Sequence, residues 1–163
     1  MTDIEREVLE VLDKLKIPYL RQEHPAVFTV GEAEKYWGGL RGAHCKNLFL
    51  RNNRGTCHYL VIVEASRRVD LKALTSRLNE DRLSFASPRR LMKYLGLEPG
   101  SVSPFGLIHD KGYEVRVVVD AELKSAAGVN FHPNTNTSTL GLSFADFERF
   151  LAWRGNSVEF IRL

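Results

Sequence analysis

Cysteine is scarce in this chain: Cys45 and Cys57 stand alone among 163 residues, without CxxC spacing. A disulfide framework is thereby excluded, and two half-buried thiols are the ordinary reading. No apolar run is long enough to span a bilayer. No GxxxxGK[ST] or GxGxxG phosphate loop appears, and no HExxH pair or GxSxG nucleophile elbow. The five histidines, His24, His44, His58, His109 and His132, are scattered along the chain. No metal and no cofactor are therefore expected. A cysteine nucleophile stays open, although nothing pairs Cys45 with a base. The opening "MTDIEREVLEVLDKLK" is acidic and helical and lacks the features of a secretory signal. A cytoplasmic protein with no membrane partner is expected.

What is present suits one soluble domain over residues 1–163, with 44% hydrophobic and 26% charged residues. The net charge of +3 is too small to establish nucleic-acid binding. Its distribution says more. Acids crowd the first 34 residues, whereas the stretch 67–93 carries Arg67, Arg68, Lys72, Arg77, Arg82, Arg89, Arg90 and Lys93. Such a face either attracts phosphates or is a solvated, salt-bridged surface.

Ile4, Val8, Val11, Leu12 and Leu15 recur at helical spacing, and Pro18 stops that helix. "YLRQEH" alternates like a short strand. Thr29 and Glu32 form a capping box, and "WGG" at 37–39 ends the helix it opens. "KNLFLR" and "CHYLVIVE" read as a hairpin across "NNRG". Leu60 to Val63 is apolar throughout, which suits a strand covered on both faces. Asp70 caps a helix carrying Leu71, Leu74 and Leu78. "RLSFA" is a brief strand. Ser87–Pro88 opens a helix that ends at Gly96. "LEPGSVSPFGL" holds two prolines and two glycines and is expected to be irregular. "YEVRVVVD" and "SVEFIRL" are strands, and Ser143 caps a helix with Phe144, Phe147, Phe150 and Leu151. The pattern predicts an α/β or α+β fold with a mixed sheet flanked by helices.

Three patches could carry chemistry. Lys46, beside Asn47, either faces solvent or meets a phosphate at a pocket rim. "GSVSP", Gly100 to Pro104 with Ser101, Val102 and Ser103 between, is either a plain connection or a loop that aims backbone N–H groups at an oxygen. "NFHPNTNTSTL" (130–140) supports neither a helical period nor a long apolar run. Its single histidine, His132, is held extended by Pro133 among short polar side chains, as a structural or a binding group.

Together the Lys46–Asn47 pair, "GSVSP" and "FHPNTNTST" resemble the YbaK/prolyl-tRNA-synthetase-associated editing domain superfamily, over nearly the whole chain. The last segment is most similar to its free-standing alanyl-tRNA(Pro) deacylases. The resemblance implies a mixed, curved sheet and a trans-editing hydrolase that cleaves the ester of mischarged alanyl-tRNA(Pro). A synthetic site discriminates a missing methylene by only ~1–3 kcal/mol, so a second, smaller site must remove the error. The family is thought to need no side-chain nucleophile, with the tRNA's vicinal hydroxyl helping to position the water. By resemblance, Lys46 contacts the terminal phosphate or ribose beside Asn47, the backbone from Gly100 to Pro104 binds the ester, and His132 meets substrate or water. Asn136 and Thr137 support it, and Val27, Phe28 and Ala33 wall a methyl pocket. Arg51, Arg82, Arg89 and Arg90 are assigned to the acceptor end of tRNA(Pro), and prolyl-tRNA synthetase is a second candidate partner. The alternatives are a cysteinyl-tRNA(Pro) deacylase and a non-catalytic tRNA- or synthetase-binding module of the same fold.

Overall fold

The computed structural model describes residues 1–163 except for the side chains at 37–39. The expected "WGG" stop falls on those three and lies outside the described residues. Among the described residues there are five α-helices and eight strands. The organising element is the hairpin of β2 (Ala43–Arg51) and β3 (His58–Glu64). Their register runs from Cys45 opposite Glu64 to Arg51 opposite His58. The turn closes through Asn52 N–H on Cys57 O and Gly55 N–H on Asn52 O, with Gly55 at φ +72°. Glycine tolerates that backbone region without steric cost.

β3 is buried from His58 to Val63, as its apolar run requires. Leu60 and Ile62 pack on one side with α1 (Asp3–Lys14), α4 (Pro88–Leu95) and α5 (Phe144–Arg154). Val61 and Val63 pack on the other with Leu74 of α3 (Leu71–Arg77). Each such side chain contributes roughly 1.5–3 kcal/mol on burial, so this strand anchors both layers. β5 (Val115–Asp120) pairs parallel with β3, and β8 (Val158–Ile161) parallel with β5. β1 (Leu20–Glu23) pairs antiparallel with β7 (Ser138–Leu142), which pairs antiparallel with β6 (Val129–Phe131). The mixed sheet runs β1-β7-β6-β2-β3-β5-β8.

Two expectations are corrected. The polar stretch 130–140 contributes to a buried hairpin, β6 and β7. Its strands are short, and Asn130, Ser138 and Thr139 are buried there with polar side chains, so no apolar run announces them. The supposedly irregular "LEPGSVSPFGL" ends in a 3-10 turn, Pro104–His109, in which Ser103 Oγ accepts the Phe105 N–H at 3.1 Å. The proline sits where helical N–H groups need no partner and so opens the turn.

One feature of β2 positions the site. Ala43 and His44 pair parallel with Val129 and Asn130 of β6. On the same edge, Leu50 and Arg51 pair with Phe85 and Ser84 of β4 (Ser84–Phe85). Between these contacts the neighbours diverge, and the strand edge around Cys45, Lys46 and Asn47 opens onto a cleft. Open α/β sheets bind ligands where neighbouring strands part beyond a carboxyl end.

Candidate active site

The cleft has a volume of about 200 Å³. Lys46, Gly100 and His132, distant in sequence, all line it, together with Asn47, Val102, Val27, Phe28 and Ala33. A methyl group alone would leave most of that space empty, so it can also take an ester and part of a sugar. No helix among the described residues is long and apolar enough to cross a membrane.

β2 delivers Lys46 and Asn47 at the opening. Pleating puts them on alternate faces, and the missing strand neighbour lets both reach the cleft. The Asn47 amide donates from Nδ2 to Val102 O at 3.3 Å, tying β2 to the glycine loop. Gly100 has φ +89° and approaches Phe28 closely. The Ser101 N–H is engaged with Glu98 O at 3.1 Å. Within the loop, Gly100 and Val102 are the residues that line the cleft. Ser101, Ser103 and Pro104 shape the loop from outside it, Ser103 and Pro104 being buried.

His132 follows β6 directly. Its Nδ1 meets Ser138 O at 2.9 Å. A carbonyl only accepts, so Nδ1 carries the proton and Nε2 is left as the acceptor of the neutral ring. Burial pushes its pKa below the ordinary imidazole value, against the Ser138 carbonyl, which favours the charged ring. Asn134 takes φ +61°, which asparagine tolerates, and reverses the chain between β6 and β7. Asn136 is not a lining residue; its Nδ2 donates to the backbone of one, Val27 O, at 3.0 Å. Thr137 is exposed and is not a lining residue.

Sequence reasoning missed several neighbours. His24 Nε2 lies 2.9 Å from Thr139 Oγ1, and its ring stacks on Tyr36 and stands 5.8 Å from that of His132. His44, Asn130 and Thr139 line the cleft. The histidines that look scattered are therefore partly gathered: His132 and His44 line one cleft and His24 borders it. A signal was available, since His24–Pro25 and His132–Pro133 repeat one dipeptide. Cys45 also lines the cleft, but burial pushes its thiol up to about 12, and Sγ donates to Ala43 O at 3.5 Å. At neutral pH it is a thiol, and the thiolate is the nucleophilic form.

The basic residues lie apart from the cleft. Arg51 sits five residues along β2 from Lys46, roughly 16 Å at the rise of a strand. Its guanidinium donates to Asn52 O at 3.0 Å and Asn53 O at 2.7 Å. Arg90 donates from Nη1 to Gly55 O at 3.3 Å and to His58 Nε2 at 3.0 Å. Arg89, Arg90 and Lys93 line a second hollow of about 350 Å³, and Arg82 is exposed. Burial and the charges of Arg90, Arg51 and Lys93 push the His58 pKa down to about 4.

The chain is similar to known proteins over most of its length. The profile of the aminoacyl-tRNA editing domain matches residues 24–150. The prolyl-tRNA editing protein ProX of Acetoanaerobium sticklandii is 42% identical over 161 residues, covering 99% of this chain and 98% of its own. The prolyl-tRNA synthetase associated domain-containing protein 1 of Xenopus laevis is 37% identical over 158 residues, 94% of each chain. A crystal structure of a candidate trans-editing enzyme for prolyl tRNA synthetase superposes with a TM-score of 0.74, covering 100% of this chain and 99% of its own. At 23% identity that likeness shows a shared fold. The chain belongs to the aminoacyl-tRNA editing domain family.

Proposed function

We propose that this editing enzyme acts in trans on mischarged tRNA(Pro) and hydrolyses the ester of alanyl-tRNA(Pro), with residues 1–163 working as one editing domain. The observation that carries the reading is the convergence of Lys46, Gly100 and His132 on one cleft of about 200 Å³. Lys46 meets the terminal phosphate or ribose, with Asn47 beside it. A water adds to the ester carbonyl, and a backbone N–H at Gly100 or Val102 receives the developing oxyanion. That water hydrogen-bonds to Nε2 of the neutral His132, and the proton it loses on adding to the carbonyl departs on the ribose oxygen. The products are alanine and free tRNA. Val27, Phe28 and Ala33 wall the side-chain pocket, which excludes proline by collision. Arg51, Arg82, Arg89 and Arg90 hold phosphates of the acceptor end, and prolyl-tRNA synthetase is the partner that supplies the mischarged product. The names of the relatives from Acetoanaerobium sticklandii and Xenopus laevis support the prolyl context.

The deciding experiment incubates the protein with alanyl-, cysteinyl-, seryl- and prolyl-tRNA(Pro) and follows release of each amino acid. Alanine is expected to leave fastest, serine slowly, and proline not at all. Preferential release of cysteine would replace the substrate assignment. Binding of tRNA without turnover of any ester would overturn catalysis.

A further inference from the structure

His132 reaches the cleft with its ring already set by Ser138 O. The same Ser138 turns its hydroxyl to the opposite side, where Oγ donates to Glu5 Oε1 at 2.7 Å. Arg21 Nε of β1 donates to that oxygen at 2.6 Å. Glu5 is 1% exposed and Ser138 is fully buried. Glu5 lies on α1 among the residues the helix buries, beside Val8, Leu9 and Leu12. Burying a carboxylate costs several kcal/mol before its partners repay it, and well-packed apolar residues often serve stability as well or better. Packing alone therefore gives no reason for an acid here. Two hydrogen bonds away stands the imidazole of the cleft.

We propose that Glu5 and Ser138 are positioning residues for His132: the buried carboxylate pins the Ser138 hydroxyl, and the Ser138 peptide in turn sets the plane and tautomer of the ring. The inference rests on His132 acting as an acceptor in the proposed deacylation. Burial raises the pKa of the Glu5 carboxyl, and hydrogen bonds from Arg21 and Ser138 together with the nearby positive charges bring it below its usual range, so the oxygen is free to accept from both. The titratable groups facing His132 are His24 beyond β1, and His44, Cys45 and Lys46 on β2 across the cleft. No carboxylate lines the cleft among the described residues. The Ser138 carbonyl favours the charged ring. Weakening that bond lowers the pKa of His132, whereas letting water in raises it towards the ordinary value of 6.5. The two effects have opposite signs.

The test uses the full chain with Ser138→Ala, Glu5→Leu and Glu5→Gln. Nitrogen NMR of the His132 ring, without substrate, reads tautomer and titration. Kinetics with alanyl-tRNA(Pro) reads kcat and KM separately. In Ser138→Ala the ring is expected to lose its single tautomer and to titrate at lower pH. Its kcat is expected to fall about 10-fold, the lower end seen for outer supporting residues, with KM within about 2-fold. Glu5→Gln keeps an acceptor for Ser138 and is expected to match the parent, while Glu5→Leu follows Ser138→Ala. A folded Ser138→Ala with unchanged ring signals, or with a titration moved up towards 6.5, overturns the proposal. So does a Glu5→Gln as impaired as Ser138→Ala. Should Glu5→Leu not fold, Ser138→Ala still decides. Expected ring behaviour without turnover by the parent would retain the positioning and reject the deacylation.

Discussion

A methyl group built on Gly100 would stand 3.0 Å from Cδ1 of Phe28, tighter than side chains normally pack. Gly100 also holds φ +89°, where an L-residue is strained by roughly 1–2 kcal/mol. Gly100→Ala should therefore displace Phe28 or the loop at the point where the ester is proposed to bind. The expected result is a kcat lower by about 10²-fold, as for the loss of one oxyanion donor. The check is single-turnover deacylation beside a melting curve, which should move by only a few degrees.

Removing His132 should separate from removing Lys46. His132→Ala is expected to lower kcat by about 10²-fold, the low end for a positioned proton acceptor. Lys46→Ala should instead raise KM and leave kcat near the parent value, because a phosphate or ribose contact holds ground state and transition state alike. In the proposed reaction the neutral His132 ring is the acceptor, and its folded pKa is depressed below 6.5. Activity should thus stay level as pH falls to 6.5 and drop only below it, through the depressed value. A kcat profile between pH 5 and 8 checks the sign.

Salt should report the basic face. Arg82 and Arg89 are both exposed. Each phosphate contact removed should reduce the slope of log affinity against log salt by about 1. Arg82→Ala with Arg89→Ala should thus flatten the salt dependence of KM by about 2 and leave kcat at saturation near the parent value. Equal slopes for parent and variant would detach these arginines from the RNA.

Stability should weaken in mild acid through His58. It is 2% exposed, with its pKa pushed down to about 4 by burial and by Arg90, Arg51 and Lys93. Between 6.5 and 4 the unfolded chain binds a proton that the folded chain refuses, so stability falls as pH drops through that window. One such group sets a slope of at most about 1.4 kcal/mol per pH unit. His58→Gln should remove that part of the slope, measured as urea midpoints at several pH values.

Much of this protein is legible in its sequence because the signals are local. Capping by Thr29, Asp70, Ser87 and Ser143 needs only a side-chain oxygen two or three residues from an unpaired N–H. The burial of Leu60 to Val63 on both faces is written in four consecutive apolar residues. The motifs around Lys46, Gly100 and His132 are likewise visible as residue types at fixed spacing. Tertiary structure alone decided that they share a cleft. The parting of β6 from β4 along β2 depends on β6 reaching β2 across more than eighty residues of chain, and a parallel pairing of two residues leaves no periodic trace. The Glu5–Ser138 bond joins residues 133 apart, so neither side chain announces the other. Local hydrogen bonding is encoded by neighbours in sequence. A cleft is encoded only by where packing lets strands separate, and that is a property of the folded sheet.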